Sequence, residues 1–254
     1  MAPANGGRRR RLTHDAEIPV GDGETVPAAF EPGAPGGEPR PGVLVIHEAL
    51  GLTPEMRRLT RQFAAAGFVT LAPDFLHGLG PKPFCIARFA RGIASGRGGR
   101  PFRRLEAAQA WLAARPEVAG LPIGVAGFCL GGGFALLYAA GGEVQVVAPF
   151  YPQTPDEPAL AGICPVVASY GGRDAIFAPG AGRLATALTN LRVDHDVRTY
   201  PGAGHGFMAR YDGLLGWLGR RLPMRLGHDP PAAEDAWART IAFFGRHLDH
   251  GSHS

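Results

Sequence analysis

The chain has 254 residues, of which 45% are hydrophobic and 19% charged, and its net charge is +4. These values are typical of one soluble domain, and no apolar run reaches the roughly 18 residues needed to cross a bilayer. Four of the positive charges form a basic cluster at 8–11, and no aromatic residues alternate with the others. Nucleic acid is therefore not expected as a partner, and neither is a membrane. No apolar segment follows the cluster, as a secretory signal requires, so we expect a cytoplasmic protein.

The spacing of the cysteines and histidines is typical neither of a disulfide framework nor of a metal site. The three cysteines, Cys85, Cys129 and Cys164, are an odd number without the spacing of a disulfide framework. The nine histidines are dispersed and show no zinc-ligand spacing. We therefore expect reduced thiols, no metal and no cofactor.

In chain order, the sequence predicts a tail and a leading strand region over residues 1–40, then one domain over 41–254. Residues 76–101 are rich in glycine and proline and are predicted to form a lid. The predicted strands are 43–46, 68–72, 121–126, 144–149, 165–170 and 193–199, and the predicted helices are 53–66, 102–114, 130–140, 180–190 and 232–248. This alternation predicts an α/β fold, a mostly parallel sheet with helices on both faces.

A cysteine stands where the strand 121–126 must turn sharply into the next helix. Gly127 and Gly131 flank Cys129 with the small residues that a nucleophile elbow of the G-x-S-x-G type requires. The N-terminus of the helix that begins at Leu130 would also favour a thiolate. The alternative is a buried structural cysteine in a glycine-rich turn.

An acid and a base follow the cysteine in the order nucleophile, acid, histidine. Asp174 lies just past the predicted strand 165–170, and His205 lies in a glycine-rich loop after the strand 193–199. That order is the one found in α/β-hydrolases. Because ligands bind outside the carboxyl ends of parallel strands, we expect all three side chains to meet there.

Five short motifs within residues 40–250 carry a resemblance to a known family. The chain resembles the dienelactone hydrolase family, the cysteine-nucleophile branch of the α/β-hydrolases, at His47–Leu52, Ala72–Phe75, Gly127–Gly132, Gly172–Asp174 and Gly204–Phe207. The resemblance implies an α/β-hydrolase fold and hydrolysis of small esters or lactones through an acyl-enzyme intermediate.

The resemblance also implies a role for each matching residue. Cys129, Asp174 and His205 would be the catalytic triad, and the backbone N–H groups of Leu130 and Ala49 would form the oxyanion hole. Glu48 falls on the gating glutamate, which exchanges a proton with the cysteine when substrate arrives. The alternative for this glutamate is a cap on the helix that begins near residue 53, or a solvated side chain.

Substrate-binding arginines are expected by the same resemblance, but at shifted positions. The family has an arginine four residues beyond the triad histidine, whereas Arg210 lies five residues beyond it. A second family arginine, shortly after the Ala-Pro-Asp motif, has no counterpart in place, and Arg88 or Arg91 would replace it. The alternative is that these arginines are solvated surface residues.

Two classes of function remain open at this point. The first is a hydrolase that acts on a small-molecule ester or lactone, as a monomer or small homo-oligomer. The second is a non-catalytic relative that binds a small molecule or senses redox state through the Cys129 thiol. A correctly placed acid and base favour the hydrolase, because a thiol sensor does not need them.

Overall fold

The computed structural model describes residues 14–33, 37–78, 99–211 and 213–248. Within these ranges the strands are β1 (His14–Gly21), β2 (Glu24–Glu31), β3 (Gly42–Ile46), β4 (Val69–Pro73), β5 (Ile123–Phe128), β6 (Val146–Phe150), β7 (Val166–Gly171) and β8 (His195–Tyr200). The α-helices are α1 (Pro54–Ala65), α2 (Arg100–Ala113), α3 (Leu130–Ala139), α4 (Gly180–Asn190), α5 (Gly213–Gly219) and α6 (Pro230–Leu248), and one 3-10 turn spans Glu157–Leu160.

The described strands form a single sheet in the order β1-β2-β4-β3-β5-β6-β7-β8. The six strands from β4 to β8 in this order run parallel to one another. Strands β1 and β2 form an antiparallel hairpin, and β2 pairs with β4 in the antiparallel direction. The predicted mostly parallel sheet is therefore confirmed. The leading strand region predicted before residue 40 extends this same sheet.

The central strands are buried on both faces, which explains their nearly continuous apolar sequences. Every residue of β3, β5 and β7 is buried. Helices α1 and α6 contribute to the core on one face, and α2, α3 and α4 contribute to the core on the other. On α1 the predicted apolar face, Met56, Leu59 and Phe63, is buried. The predicted helices on both faces are confirmed.

Some parts of the chain differ from the prediction or lie outside the described ranges. The helix α5 and the 3-10 turn were not predicted, because their short glycine- or proline-containing sequences resemble loops. Most of the predicted lid, residues 79–98, lies outside the described residues. Over the residues that are described, no helix combines the length and the apolar character needed to cross a membrane.

Candidate active site

Cys129 occupies a strained turn between β5 and α3. It is the N-cap residue of α3 and has φ 54° and ψ −117°, in the region that non-glycine residues seldom adopt. Gly127 and Gly131, each two residues from Cys129, allow this geometry. A Cβ at Gly127 would lie 2.2 Å from the Gly131 carbonyl oxygen, and a Cβ at Gly131 would lie 2.2 Å from that of Ile46. The sharp strand-to-helix turn predicted from the motif is therefore present.

Asp174 and His205 form a buried pair at the same end of the sheet. The Asp174 side chain follows β7, and its Oδ2 lies 2.6 Å from Nδ1 of His205. Its other oxygen accepts the backbone N–H groups of Ile176 and Phe177, each at 3.1 Å. The two residues are only 1% and 2% exposed. The carboxylate is thus fixed by its own loop and in turn fixes the orientation of the imidazole ring.

The second ring nitrogen of His205 is available for proton transfer. Burial alone would lower the pKa of His205, but the charge of the Cys129 thiolate and the hydrogen bond to Asp174 raise this pKa to about 10. Nε2 is buried without a hydrogen-bond partner in the described part of the chain. Because Nδ1 is held by Asp174, Nε2 is the nitrogen that is free to take or give a proton.

Glu48 is buried in the turn after β3 and meets a tyrosine. It is 4% exposed, and its Oε2 accepts a hydrogen bond of 2.6 Å from the hydroxyl of Tyr211. Burial raises the pKa of Glu48, and the hydrogen bond from Tyr211 opposes this rise. The cap of α1 is Thr53, whose Oγ1 accepts the N–H of Met56 at 3.2 Å. The observed environment therefore differs from both alternatives, a helix cap and a solvated side chain.

The turn that carries Glu48 is braced by its neighbours. Nδ1 of His47 lies 2.7 Å from the Glu48 carbonyl oxygen, and Nε2 lies 3.2 Å from Oδ1 of Asp74. Although burial opposes it, this contact with His47 lowers the pKa of Asp74. The ends of β3 and β4 are thereby joined beside the site.

The predicted oxyanion donors are the backbone N–H groups of Leu130 and Ala49. Leu130 is the first residue of α3, so its N–H has no acceptor within the helix. Ala49 follows Glu48, and its side chain packs with that of Cys129 against the same part of the core. The strands that precede the two turns are adjacent, because Ile46 of β3 pairs with Gly127 of β5. The fold thus places both predicted oxyanion donors on neighbouring turns.

Aromatic side chains surround the histidine. The ring centroids of Tyr151 and Phe177 each lie 4.9 Å from that of His205. Tyr151 directly follows β6, has φ 42° and is fully buried. Its hydroxyl has no hydrogen-bond partner among the described residues, and burial together with the nearby charges of Glu48 and Cys129 raises its pKa. Tyr151 thus stays protonated.

Of the three predicted substrate-binding arginines, Arg210 falls within the described residues. The backbone N–H of Arg210 donates to Oε1 of Glu55 at 3.0 Å, and its side chain lines a surface groove together with Arg58 and Trp237. The residue that meets Glu48 is its neighbour, Tyr211. The other two predicted arginines, Arg88 and Arg91, lie outside the described residues.

Two tyrosines beside the site, Tyr151 and Tyr211, were not among the predicted site residues. A sequence signal for Tyr151 was available, because it lies two residues beyond the predicted strand 144–149, at the end where ligands bind. Tyr211 carried none, since its contact with Glu48 joins residues 163 positions apart.

Of the other two cysteines, Cys164 is described and precedes β7. Cys164 is one of two free cysteines in the described ranges, and burial raises its pKa to about 12, so it stays protonated. Cys85 falls within residues 79–98 and is not described. No group of three His, Cys, Asp or Glu side chains in the described ranges is arranged to hold a metal ion.

Comparison with known proteins agrees with this geometry. The family model described as "Dienelactone hydrolase family" matches residues 28–248. The carboxymethylenebutenolidase of Rhodococcus opacus is 31% identical over 83% of this chain and 82% of its own length. A putative carboxymethylenebutenolidase of Synechocystis is 29% identical over 82% of this chain and 87% of its own length.

Solved structures show the same fold. The crystal structure of a dienelactone hydrolase-like promiscuous phosphotriesterase from metagenomic libraries superposes with a TM-score of 0.78 and 26% identity, over 93% of this chain and 98% of that one. A putative dienelactone hydrolase from Klebsiella pneumoniae gives a TM-score of 0.71 at 23% identity, over 91% of this chain and 98% of its own. The fold is that of the α/β-hydrolases, and the chain belongs to the dienelactone hydrolase family.

Proposed function

We propose that this protein hydrolyses small carboxylic esters or lactones with Cys129 as nucleophile. One observation carries the proposal, the 2.6 Å contact between Asp174 and His205 beside a cysteine on a strained elbow. The contact leaves Nε2 of His205 as the nitrogen that can take or give a proton. A thiol that only sensed redox state would need no such base.

Acylation begins with attack of the Cys129 thiolate on the ester or lactone carbonyl carbon. The carbonyl oxygen becomes an oxyanion, which the N–H groups of Leu130 and Ala49 stabilise. The intermediate then collapses, the bond to the leaving oxygen breaks, and Nε2 of His205 gives that oxygen its proton. In a lactone the leaving oxygen stays attached to the acyl group, and the product of this step is a hydroxyacyl thioester.

Deacylation uses the same groups in the reverse direction. Nε2 of His205, now neutral, removes a proton from a water molecule, whose oxygen attacks the thioester carbonyl carbon. The second tetrahedral intermediate collapses with cleavage of the carbon–sulfur bond. The carboxylic acid leaves, and the thiolate and imidazolium are restored. Asp174 keeps the ring oriented throughout.

Glu48 acts before the first attack. Burial raises its pKa, so this carboxylate binds a proton more readily than a solvated one. It accepts the proton of the resting Cys129 thiol, which produces the thiolate nucleophile, and it returns this proton to Cys129 after the carboxylic acid has left. The substrate class follows from the relatives, since two of them are named as carboxymethylenebutenolidases, which are lactone hydrolases. A dienelactone and small esters are the substrates that we propose.

The test compares a dienelactone with p-nitrophenyl acetate as substrates of the purified protein. The variant Cys129→Ala should lose at least about a thousandfold in kcat on both. The matched control is Cys164→Ala, which removes the distant thiol and should retain full activity. Mass spectrometry of the wild type during turnover should show an acyl group on Cys129.

Three outcomes would contradict the proposal. Wild-type rates in Cys129→Ala would remove the cysteine from the mechanism. Equal losses in the two alanine variants would indicate a general effect on the fold. Inactivity of the folded wild type on both substrates would favour the second class of function, a thiol that binds or senses.

A further inference from the structure

The partner of Glu48 is a neutral hydroxyl group. Tyr211 donates a 2.6 Å hydrogen bond to Oε2 of Glu48, and its side chain is partly buried. Burial and the nearby charge of Glu48 raise the pKa of Tyr211, so the phenol keeps its proton and can only act as a donor to a charged carboxylate. The contact therefore orients Glu48 without neutralising its charge.

Two glycines fix the position of Tyr211. Gly206, which directly follows the catalytic histidine, has φ 68°, and a Cβ there would lie 2.7 Å from the Tyr211 ring and hydroxyl. A Cβ at Gly216 in α5 would lie 2.0 Å from the Tyr211 carbonyl oxygen. The ring thus packs directly over the backbone next to His205.

The hydrogen bond from Tyr211 affects the pKa of Glu48. Burial raises the pKa of Glu48, and among the groups around it the hydrogen bond from Tyr211 has the largest effect in the opposite direction. The nearby His205 and His47 also lower this pKa, whereas Glu55 raises it. The charge of Glu48 in turn raises the pKa of Tyr151 and that of Tyr211.

We propose that Tyr211 is a positioning residue that holds Glu48 in the orientation from which it accepts the proton of the Cys129 thiol. The proton passes from Sγ of Cys129 to a carboxylate oxygen of Glu48, which leaves a thiolate and a carboxylic acid. Tyr211 acts through Glu48 and does not itself give up a proton. This inference rests on the proposed function, because it gives Tyr211 a part in activating the same nucleophile.

The test is the pH dependence of kcat/KM for p-nitrophenyl acetate in the variant Tyr211→Phe. Phenylalanine keeps the ring that packs over Gly206 and removes only the hydroxyl. Without this donor the pKa of Glu48 rises, and Glu48 must be ionised to accept the thiol proton. The acid limb should therefore move to higher pH by about half a unit to one unit. Below the shifted limb kcat/KM should fall about three- to tenfold, with the melting temperature little changed.

The matched control is Tyr200→Phe. The Tyr200 hydroxyl also donates to a carboxylate, Oδ2 of Asp235 at 2.7 Å, but neither Tyr200 nor Asp235 is among the groups that shift the pKa of Glu48. This variant should leave the acid limb in place. A second variant, Tyr211→Phe in a Glu48→Gln background, should show no change in the acid limb relative to Glu48→Gln alone, because the group through which the tyrosine acts no longer titrates.

Each result decides the inference. A shift in Tyr211→Phe that is absent from Tyr200→Phe and from the Glu48→Gln background supports it. An unshifted limb in Tyr211→Phe, an equal shift in Tyr200→Phe, or a shift that persists without the carboxylate would overturn it. These outcomes are separate from those for the nucleophile, because a fully active Cys129→Ala variant would instead refute the proposed function.

Discussion

Replacing Asp174 by asparagine separates the proposed catalytic role of this residue from its structural role. Oδ1 of Asp174 accepts two backbone N–H groups, from Ile176 and Phe177, and Oδ2 lies against Nδ1 of His205. Asparagine has one oxygen that can accept and one NH₂ group that can only donate. The asparagine oxygen can therefore take the place of Oδ1 or of Oδ2, but not of both.

The number of hydrogen bonds that asparagine keeps determines which of the two orientations it adopts. With its oxygen toward the loop, asparagine keeps two hydrogen bonds worth about 1 kcal/mol each, whereas the flipped side chain keeps only the one to His205. The flip would also press NH₂ against two N–H donors. The loop orientation is thus favoured by at least about 1 kcal/mol, and it turns NH₂ toward Nδ1. The ring must then accept there and carry its proton on Nε2, which can no longer act as a base.

We expect Asp174→Asn to lower kcat by about three to four orders of magnitude while the melting temperature changes little. NMR titration should give a lower pKa for His205 in this variant than in the wild type, because the hydrogen bond with the Asp174 carboxylate raises that pKa. The matched control is Asp229→Asn, an aspartate that caps α6 through the N–H of Ala232 and for which asparagine is an equally good cap. Activity within threefold of the wild type in Asp174→Asn would refute this reasoning.

Three further predictions concern stability. Gly127→Ala should lower the free energy of unfolding by about 3 kcal/mol or more in urea denaturation, because its Cβ would lie 2.2 Å from a backbone oxygen. The control is Gly182→Ala in α4, where a Cβ has open space and should raise the free energy of unfolding by about 0.5–1 kcal/mol. Tyr151→Phe removes a buried unpaired hydroxyl and should raise the free energy of unfolding by about 1 kcal/mol, so a comparable loss would indicate a hidden partner. The hydrogen bond from Arg104 lowers the pKa of Glu24 below 4.5, so this pair stabilises the fold above that pH and ceases to do so as pH falls through the lowered pKa. Glu24→Gln should therefore melt below the wild type at pH 7, and the difference should vanish in acid; a constant difference would contradict the linkage.

Much of the fold and the elbow could be predicted because they depend on local sequence. The strands β3, β5 and β7 are fully buried, so their apolar runs were visible without knowledge of their neighbours. The elbow needs small residues at fixed distances from the cysteine, and Gly127 and Gly131 supply them. The carboxyl ends of parallel strands share one edge, which was enough to bring Asp174 and His205 together.

The surroundings of Glu48 could not be predicted in the same way. The resemblance drew attention to Arg210, but the residue that contacts the glutamate is its neighbour Tyr211. The path of the chain from His205 to Tyr211 depends on Gly206 at positive φ and on the packing of α5 against the Tyr211 backbone, which are tertiary contacts. The helix α5 itself has three glycines in seven residues and no sequence pattern typical of a helix.

The order of the strands has a consequence for how the chain becomes active during folding. Cys129 follows β5 and His205 follows β8, and in the sheet these two strands are separated by β6 and β7. The thiol and its base therefore meet only after every strand on that side of the sheet has paired, and the last of them is also the last strand in the chain. Recovery of esterase activity during refolding should lag behind the formation of helices, and it would report when this half of the sheet is complete.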